Sequence, residues 1–197
     1  YVDVFRSRKE KGGDKMHDYF YHNLGQTLTL TAADGSDLNL QSTEELAFAG
    51  AIFTLIPIYY DKKVAATAKG VKATFTIDMK DKDGDDIYMN LWMKGEPDRE
   101  VFTALAPMTE GLSRTPNMPT NIKEQPTLTF VARQHGEAWN RPFVSYMNEY
   151  EKGTAAIQSV SYFDVEGVDL EDFAGICVKS KNGRIDHIFS LSDAAQT

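Results

Sequence analysis

From Val71 to Lys94 the chain reads VKATFTIDM, then KDKDGDD, then IYMNLWMK. In the first run Val71, Ala73, Phe75, Ile77 and Met79 alternate with Lys72, Thr74, Thr76 and Asp78. That period of two sends successive side chains to opposite faces of a strand, one apolar and one wet. In the third run Ile87, Met89, Leu91 and Met93 alternate in the same way with Tyr88, Asn90, Trp92 and Lys94. The Asp- and Gly-rich run between them is a turn former, so the two runs are read as an antiparallel hairpin.

A second hairpin is expected near the end, from Ile176 to Lys181 and from Arg184 to Leu191. Asn182-Gly183 there supplies the two positive φ angles of a type I′ turn, and this hairpin is expected to close the sheet. Further strands are expected at Tyr1 to Arg6, His17 to Tyr21, Thr27 to Leu30, Lys63 to Ala68, Thr127 to Arg133, Pro142 to Asn148 and Ile157 to Phe163. Ser42 and Glu45 match a capping box, which predicts a helical turn over Ser42 to Leu46, with another around Leu170 to Phe173. Thr109 to Gln125, rich in Pro, Asn, Thr and Ser, is expected to be a long surface loop. Many short alternating strands divided by turn residues predict an all-β, antiparallel two-sheet β-sandwich. The reading is one domain over residues 1–197, with a small sheet appended at 154–197.

The chain has 197 residues, of which 42% are hydrophobic and 25% charged, enough for a real core. A formal net charge of −8 argues against nucleic acid, whose phosphates require clustered Lys and Arg. No apolar run is long enough to span a bilayer as a helix, so no membrane span is expected. Cys177 has no second cysteine to pair with and reads as a small buried hydrophobe. The chain opens at Tyr1 inside a strand pattern and is read as a fragment of a longer protein.

The densest chemistry lies in KMHDYFYHN, Lys15 to Asn23. On a strand, His17, Tyr19 and Tyr21 share one face, while Asp18, Phe20 and His22 share the other. His17 and His22 therefore cannot hold one metal from a regular strand. A His and a Tyr on one face, with Arg6 nearby, could abstract and return the protons of a uronate elimination. A hydrogen-bonded ladder of core side chains explains the same residues without catalysis. Tyr88 and Trp92 are candidates, with Tyr19 and Tyr21, for stacking sugar rings by their apolar faces; the alternative for Tyr88 and Trp92 is that both faces of their strand are covered. Asp81 to Asp86 fails as an EF-hand loop, because counting back from Gly84 puts Met79 at the first ligand position.

Val2-Asp3-Val4-Phe5-Arg6, then Gly12-Gly13, then His17-Asp18-Tyr19 with Tyr21-His22, resemble a stretch of the heparinase II/III-like polysaccharide lyases. The likeness continues through Arg99-Glu100-Val101-Phe102, Arg133-Gln134-His135-Gly136, Phe143-Val144-Ser145 with Glu149-Tyr150, and Gly183-Arg184-Ile185-Asp186-His187. Asn148-Glu149-Tyr150 departs from the family's Glu-Pro-Tyr. In such lyases an α-helical toroid precedes the β-region, and a His-x-His-x-Asp segment supplies zinc and catalytic residues. That segment is absent from these 197 residues. The resemblance implies a non-catalytic later half of a supersandwich, with no metal or cofactor of its own and zinc in the full-length parent. It implies a periplasmic or secreted setting, an N-terminal α-toroid as partner and a uronic-acid-containing polysaccharide or oligosaccharide as ligand. A stand-alone carbohydrate-binding module is the alternative.

Overall fold

A computed structural model describes residues 1–46, 59–79, 84–108, 124–169, 171 and 173–191. Thirteen strands run in chain order: β1 Val2–Ser7, β2 Met16–Asn23, β3 Thr27–Ala32, β4 Gln41–Ser42, β5 Tyr60–Ala66, β6 Val71–Ile77 and β7 Ile87–Met93. They continue as β8 Glu100–Ala106, β9 Thr127–His135, β10 Ala138–Glu151, β11 Ile157–Phe163, β12 Phe173–Ser180 and β13 Ile185–Leu191. Two five-stranded antiparallel sheets, β1-β10-β7-β6-β3 and β2-β9-β8-β5-β4, are joined by a third sheet, β11-β12-β13. The all-β sandwich is therefore the observed class.

The expected hairpin is β6–β7, paired from Val71↔Met93 to Ile77↔Ile87. Its apolar face enters the core between the two large sheets, where Phe75, Leu91 and Met93 meet Phe130, Phe143 and Val101, all at 0% exposure. Burying each such aromatic ring stabilises the fold by roughly 2–3 kcal/mol relative to exposure. Arg99, 1% exposed, sits within this interior, its guanidinium 4.7 Å above the Phe143 ring. Its Nη1 donates to the Lys94 carbonyl and its Nη2 to Gln134 Oε1. Burial pulls its pKa down to about 10.

The wet face of β6–β7 is wet only at one end. Trp92 packs with Val144 beneath Val160, Ile176 and Val178 of the third sheet, which lies across the outer side of the first. The last hairpin therefore does not close either large sheet: β13 is the outer strand of the third. Its turn also differs from expectation. Only Gly183 takes a positive φ, 89°, with its N–H donated to the Ser180 carbonyl and the Ser180 N–H to the Arg184 carbonyl. Three loop residues with glycine in the left-handed position make a type I turn with a bulge, not type I′.

No helix occurs among the described residues. At the expected capping box Thr43 Oγ1, not Ser42, accepts the Glu45 N–H, and the Glu45 carboxylate turns to Arg133. Phe173, where a second helical turn was expected, opens β12. The expected loop at Thr109 to Gln125 lies almost wholly outside the described residues. β8 was not anticipated as a strand, and the reason is burial: Val101, Phe102, Ala104 and Ala106 are covered on both faces. Central strands read as apolar runs without a clean alternation.

Candidate functional site

β2 is the edge strand of the second sheet and pairs with β9 from Met16↔His135 to Asn23↔Leu128. The alternation read from the sequence holds here, and it separates two environments. Inward, Tyr19 is 9% exposed, its ring stacked 5.7 Å from Phe143. Its hydroxyl donates to Asp3 Oδ2 at 2.9 Å and lies 3.4 Å from Ser145 Oγ. Burial, reinforced by the Asp3 carboxylate, pushes the phenol well above its ordinary value. A phenol held neutral in this way is a hydrogen-bond donor and a poor base. Tyr21 meets Phe75 edge-on at 5.5 Å, and burial raises its pKa too.

His17 has a different partner from Tyr19. Its Nε2 lies 3.0 Å from Asp14 Oδ1, in the segment leading into β2. Arg6 donates to the carbonyls of Trp139 at 2.5 Å and Phe173 at 3.1 Å, tying β1 to β10 and to the third sheet. The three candidates for acid and base work thus have three separate sets of partners.

Tyr19 and Tyr21 do share a cleft. It opens between the inner faces where β1 and β2 form neighbouring edges, and it measures about 450 Å³. Tyr1, Asp3, Tyr19, Phe20, Tyr21, Met89 and Met147 line it. Ring faces and thioethers beside one carboxylate suit the apolar face and hydroxyls of a neutral sugar unit.

Tyr88 and Trp92 part company. Tyr88 is half-buried, stacked on its cross-strand partner Tyr150 at 5.0 Å, with its hydroxyl 3.4 Å from Asp86 Oδ2. Trp92 is only 5% exposed. Its Nε1 donates to Asn148 Oδ1 at 3.3 Å, and Lys72 Nζ stands 4.9 Å from the ring centroid. The expectation that Trp92 offers a ring to a sugar is corrected: the third sheet covers it.

On the outward face of β2 the structure assembles a constellation not anticipated from sequence. Arg133 grips Asp18 with two hydrogen bonds, at 2.8 and 2.9 Å, and Glu45 with a third at 2.7 Å. That bidentate hold keeps the guanidinium charged and raises its pKa further. His135 Nε2 lies 2.7 Å from Glu100 Oε2 alongside. Farther along, Phe20, His22 and Tyr59 cluster with ring centroids 5.8–6.3 Å apart, and His22 and Tyr59 lie within 6° of parallel. His22 Nδ1 is 2.9 Å from Thr129 Oγ1, and burial lowers its pKa, favouring the neutral ring. Asp18, Phe20 and His22 could be placed on one face from β2 alone, but their partners come from β8, β9 and the segments around Glu45 and Tyr59.

Among the described residues the imidazoles stand apart from one another. His17 and His22 face opposite ways, His135 is paired with Glu100, and His187 stands on the third sheet. Among the described residues no three His, Cys, Asp or Glu side chains converge to hold an ion. Nor does any described helix have the length and apolarity to cross a membrane.

An antiparallel sandwich with a cleft at one edge and a polar, aromatic outer face is an architecture that many proteins share. No family profile matches the chain. It is, however, 32% identical over 198 aligned positions to an endo-acting ulvan lyase of Formosa agariphila, a match covering 97% of this chain and 22% of that protein. The chain thus spans about a fifth of its relative's length, and it is related in sequence to part of a polysaccharide lyase.

Proposed function

We propose that the chain is a non-catalytic β-sandwich region of a polysaccharide lyase of the heparinase II/III-like kind, whose whole enzyme cleaves a uronic-acid-containing glycan. Ulvan, the polymer in the relative's name, is the first substrate to test. The observation that supports this reading is the near-complete match of the chain to a fifth of a lyase. The interior adds to it: Tyr19 is locked neutral against Asp3, and His17 and Arg6 have other partners. In this reading the region braces the active site or lines the sugar groove, through the cleft of Tyr19 and Tyr21. The helical toroid, any zinc and the eliminating residues belong to the rest of the enzyme, and the setting is periplasmic or extracellular.

The cleft also favours a second reading, a module that binds glycan on its own. One experiment separates them. Unsaturated uronate, which absorbs in the ultraviolet, is followed in a panel of acidic glycans given either this chain or a full-length enzyme containing it. Release by the full enzyme with silence from the chain is the expected result, and release by the chain alone overturns it. Retention of the chain on a glycan affinity gel, lost in Tyr21→Ala, would establish the second reading.

A further inference from the structure

Of the eleven large apolar side chains that stand exposed among the described residues, five belong to the third sheet and the loop that feeds it: Val165, Val168, Ile185, Phe189 and Leu191. β12 explains why. Ala174, Ile176 and Val178 point down onto the first sheet, so Phe173, Gly175, Cys177 and Lys179 point away from it. Phe163 and Phe173 lie 5.7 Å apart, Phe163 and His187 5.7 Å, and Phe173 and Phe189 6.4 Å. Gly175 is required beneath them, because a Cβ there would come within 2.8 Å of the Phe163 ring. The result is an open basin of about 430 Å³ whose walls are aliphatic and aromatic apart from His187. Contiguous apolar surface of this kind marks an interaction site.

A sugar is a poor occupant, since no hydroxyl, amide or carboxylate lines the basin to orient it. The charges at its two ends indicate a better one. At the Phe173 end of β12 the preceding loop carries Glu166, Asp169 and Glu171, with Asp164 facing Lys94 Nζ at 3.5 Å. At the Ser180 end the turn region carries Lys179 and Lys181, with Arg184 paired to Asp186 at 2.9 Å. The two ends are roughly 25 Å apart by the rise of an eight-residue strand.

We infer that this face pairs with the same face of a second copy of the chain. A two-fold axis lying in the interface and crossing β12 runs the two strands antiparallel. Each acidic loop then covers the partner's basic turn, with the phenylalanines meeting between. An axis along β12 would instead set acid on acid, so the charge pattern selects one isologous arrangement.

Sedimentation velocity of the 197-residue chain over a concentration series tests this. A reversible dimer is expected, with Phe189→Asp monomeric throughout and unchanged in circular dichroism, because Phe189 is 62% exposed. Lys181→Glu is expected to weaken the dimer roughly tenfold, and adding Glu166→Lys to the same chain to restore it. A wild-type chain that stays monomeric at every concentration overturns the proposal, as does a dimer that survives Phe189→Asp. Failure of the double charge exchange to restore association overturns the antiparallel arrangement.

Discussion

The β6–β7 and β12–β13 hairpins have much the same sequence pattern and very different surroundings. Both alternate, both are divided by turn formers, and both pair without a break along their length. The first is covered on its inner face by the second sheet and, at the Trp92 end, on its outer face by the third. The second is covered on one face only, leaving Phe189 and Leu191 at 62% and 60% exposure. Alternation states which residues share a face; what lies over that face is decided by strands far away in the chain.

Breaking the covered hairpin should have the largest effect. Trp92→Ala removes the ring that Val144, Ile176 and Val178 pack around, and should cost about 3–5 kcal/mol in urea unfolding. It should also loosen the third sheet selectively, visible as faster amide exchange in β11 and β12. Loss of under about 1 kcal/mol would mean that the third sheet is held by other contacts.

Gly175→Ala probes the open hairpin from below. The new methyl meets the Phe163 carbonyl at 2.6 Å and its ring at 2.8 Å, so Phe163 must shift, at a cost of about 1–3 kcal/mol. Far-ultraviolet circular dichroism should be unchanged while the unfolding midpoint falls. An unshifted midpoint would show that the ring moves freely.

Alkaline pH sharpens the comparison by acting on the two most deeply shifted phenols. Tyr162 donates its hydroxyl to the Trp92 carbonyl at 2.9 Å, and burial pushes its pKa up as it does for Tyr19. An unfolded tyrosine loses its proton near pH 10, whereas these two keep theirs. The two phenols therefore favour the unfolded state as pH rises above 10, by roughly 1 kcal/mol per pH unit allowing for the water that reaches Tyr19, and Arg99, whose burial pulls its pKa down to about 10, offsets part of that loss. Below pH 9 neither phenol contributes any pH dependence. Denaturation midpoints at pH 8 and 11 check this, and Tyr162→Phe should reduce the slope.

The smallest effect belongs to the uncovered face. In dilute solution, where the chain is monomeric, Phe189→Ser should change stability by no more than about 0.5 kcal/mol. A loss comparable with that of Trp92→Ala would mean that Phe189 is covered within a single chain.

What the sequence disclosed follows the same division. The two hairpins, the faces of β2 and the sandwich class rest on local alternation, and each is present in the structure. β8 was missed because a strand covered on both faces loses its period. The turn at Asn182-Gly183 was misread because the dipeptide fits more than one hairpin geometry, and the absence of a positive φ at Asn182 distinguishes this one from type I′. Trp92 could be read either as a surface ring or as a covered one, because nothing within its own strand reveals the third sheet above it. The Arg133, Asp18 and Glu45 group was beyond reach for a related reason, since its members are 115 and 88 residues apart along the chain.

The pairing of β1 with β10 also bears on how the protein is made. Val2 finds its partner at Tyr146, and β2 finds β9 across more than a hundred residues. During synthesis, both early strands must wait with their backbone groups unpaired until most of the chain has emerged. Loop closure over such distances is slow, and waiting strand edges invite pairing with the wrong chain. The run from Arg6 to Lys15 between them is rich in Arg and Lys, charge of the kind that disfavours edge-to-edge pairing.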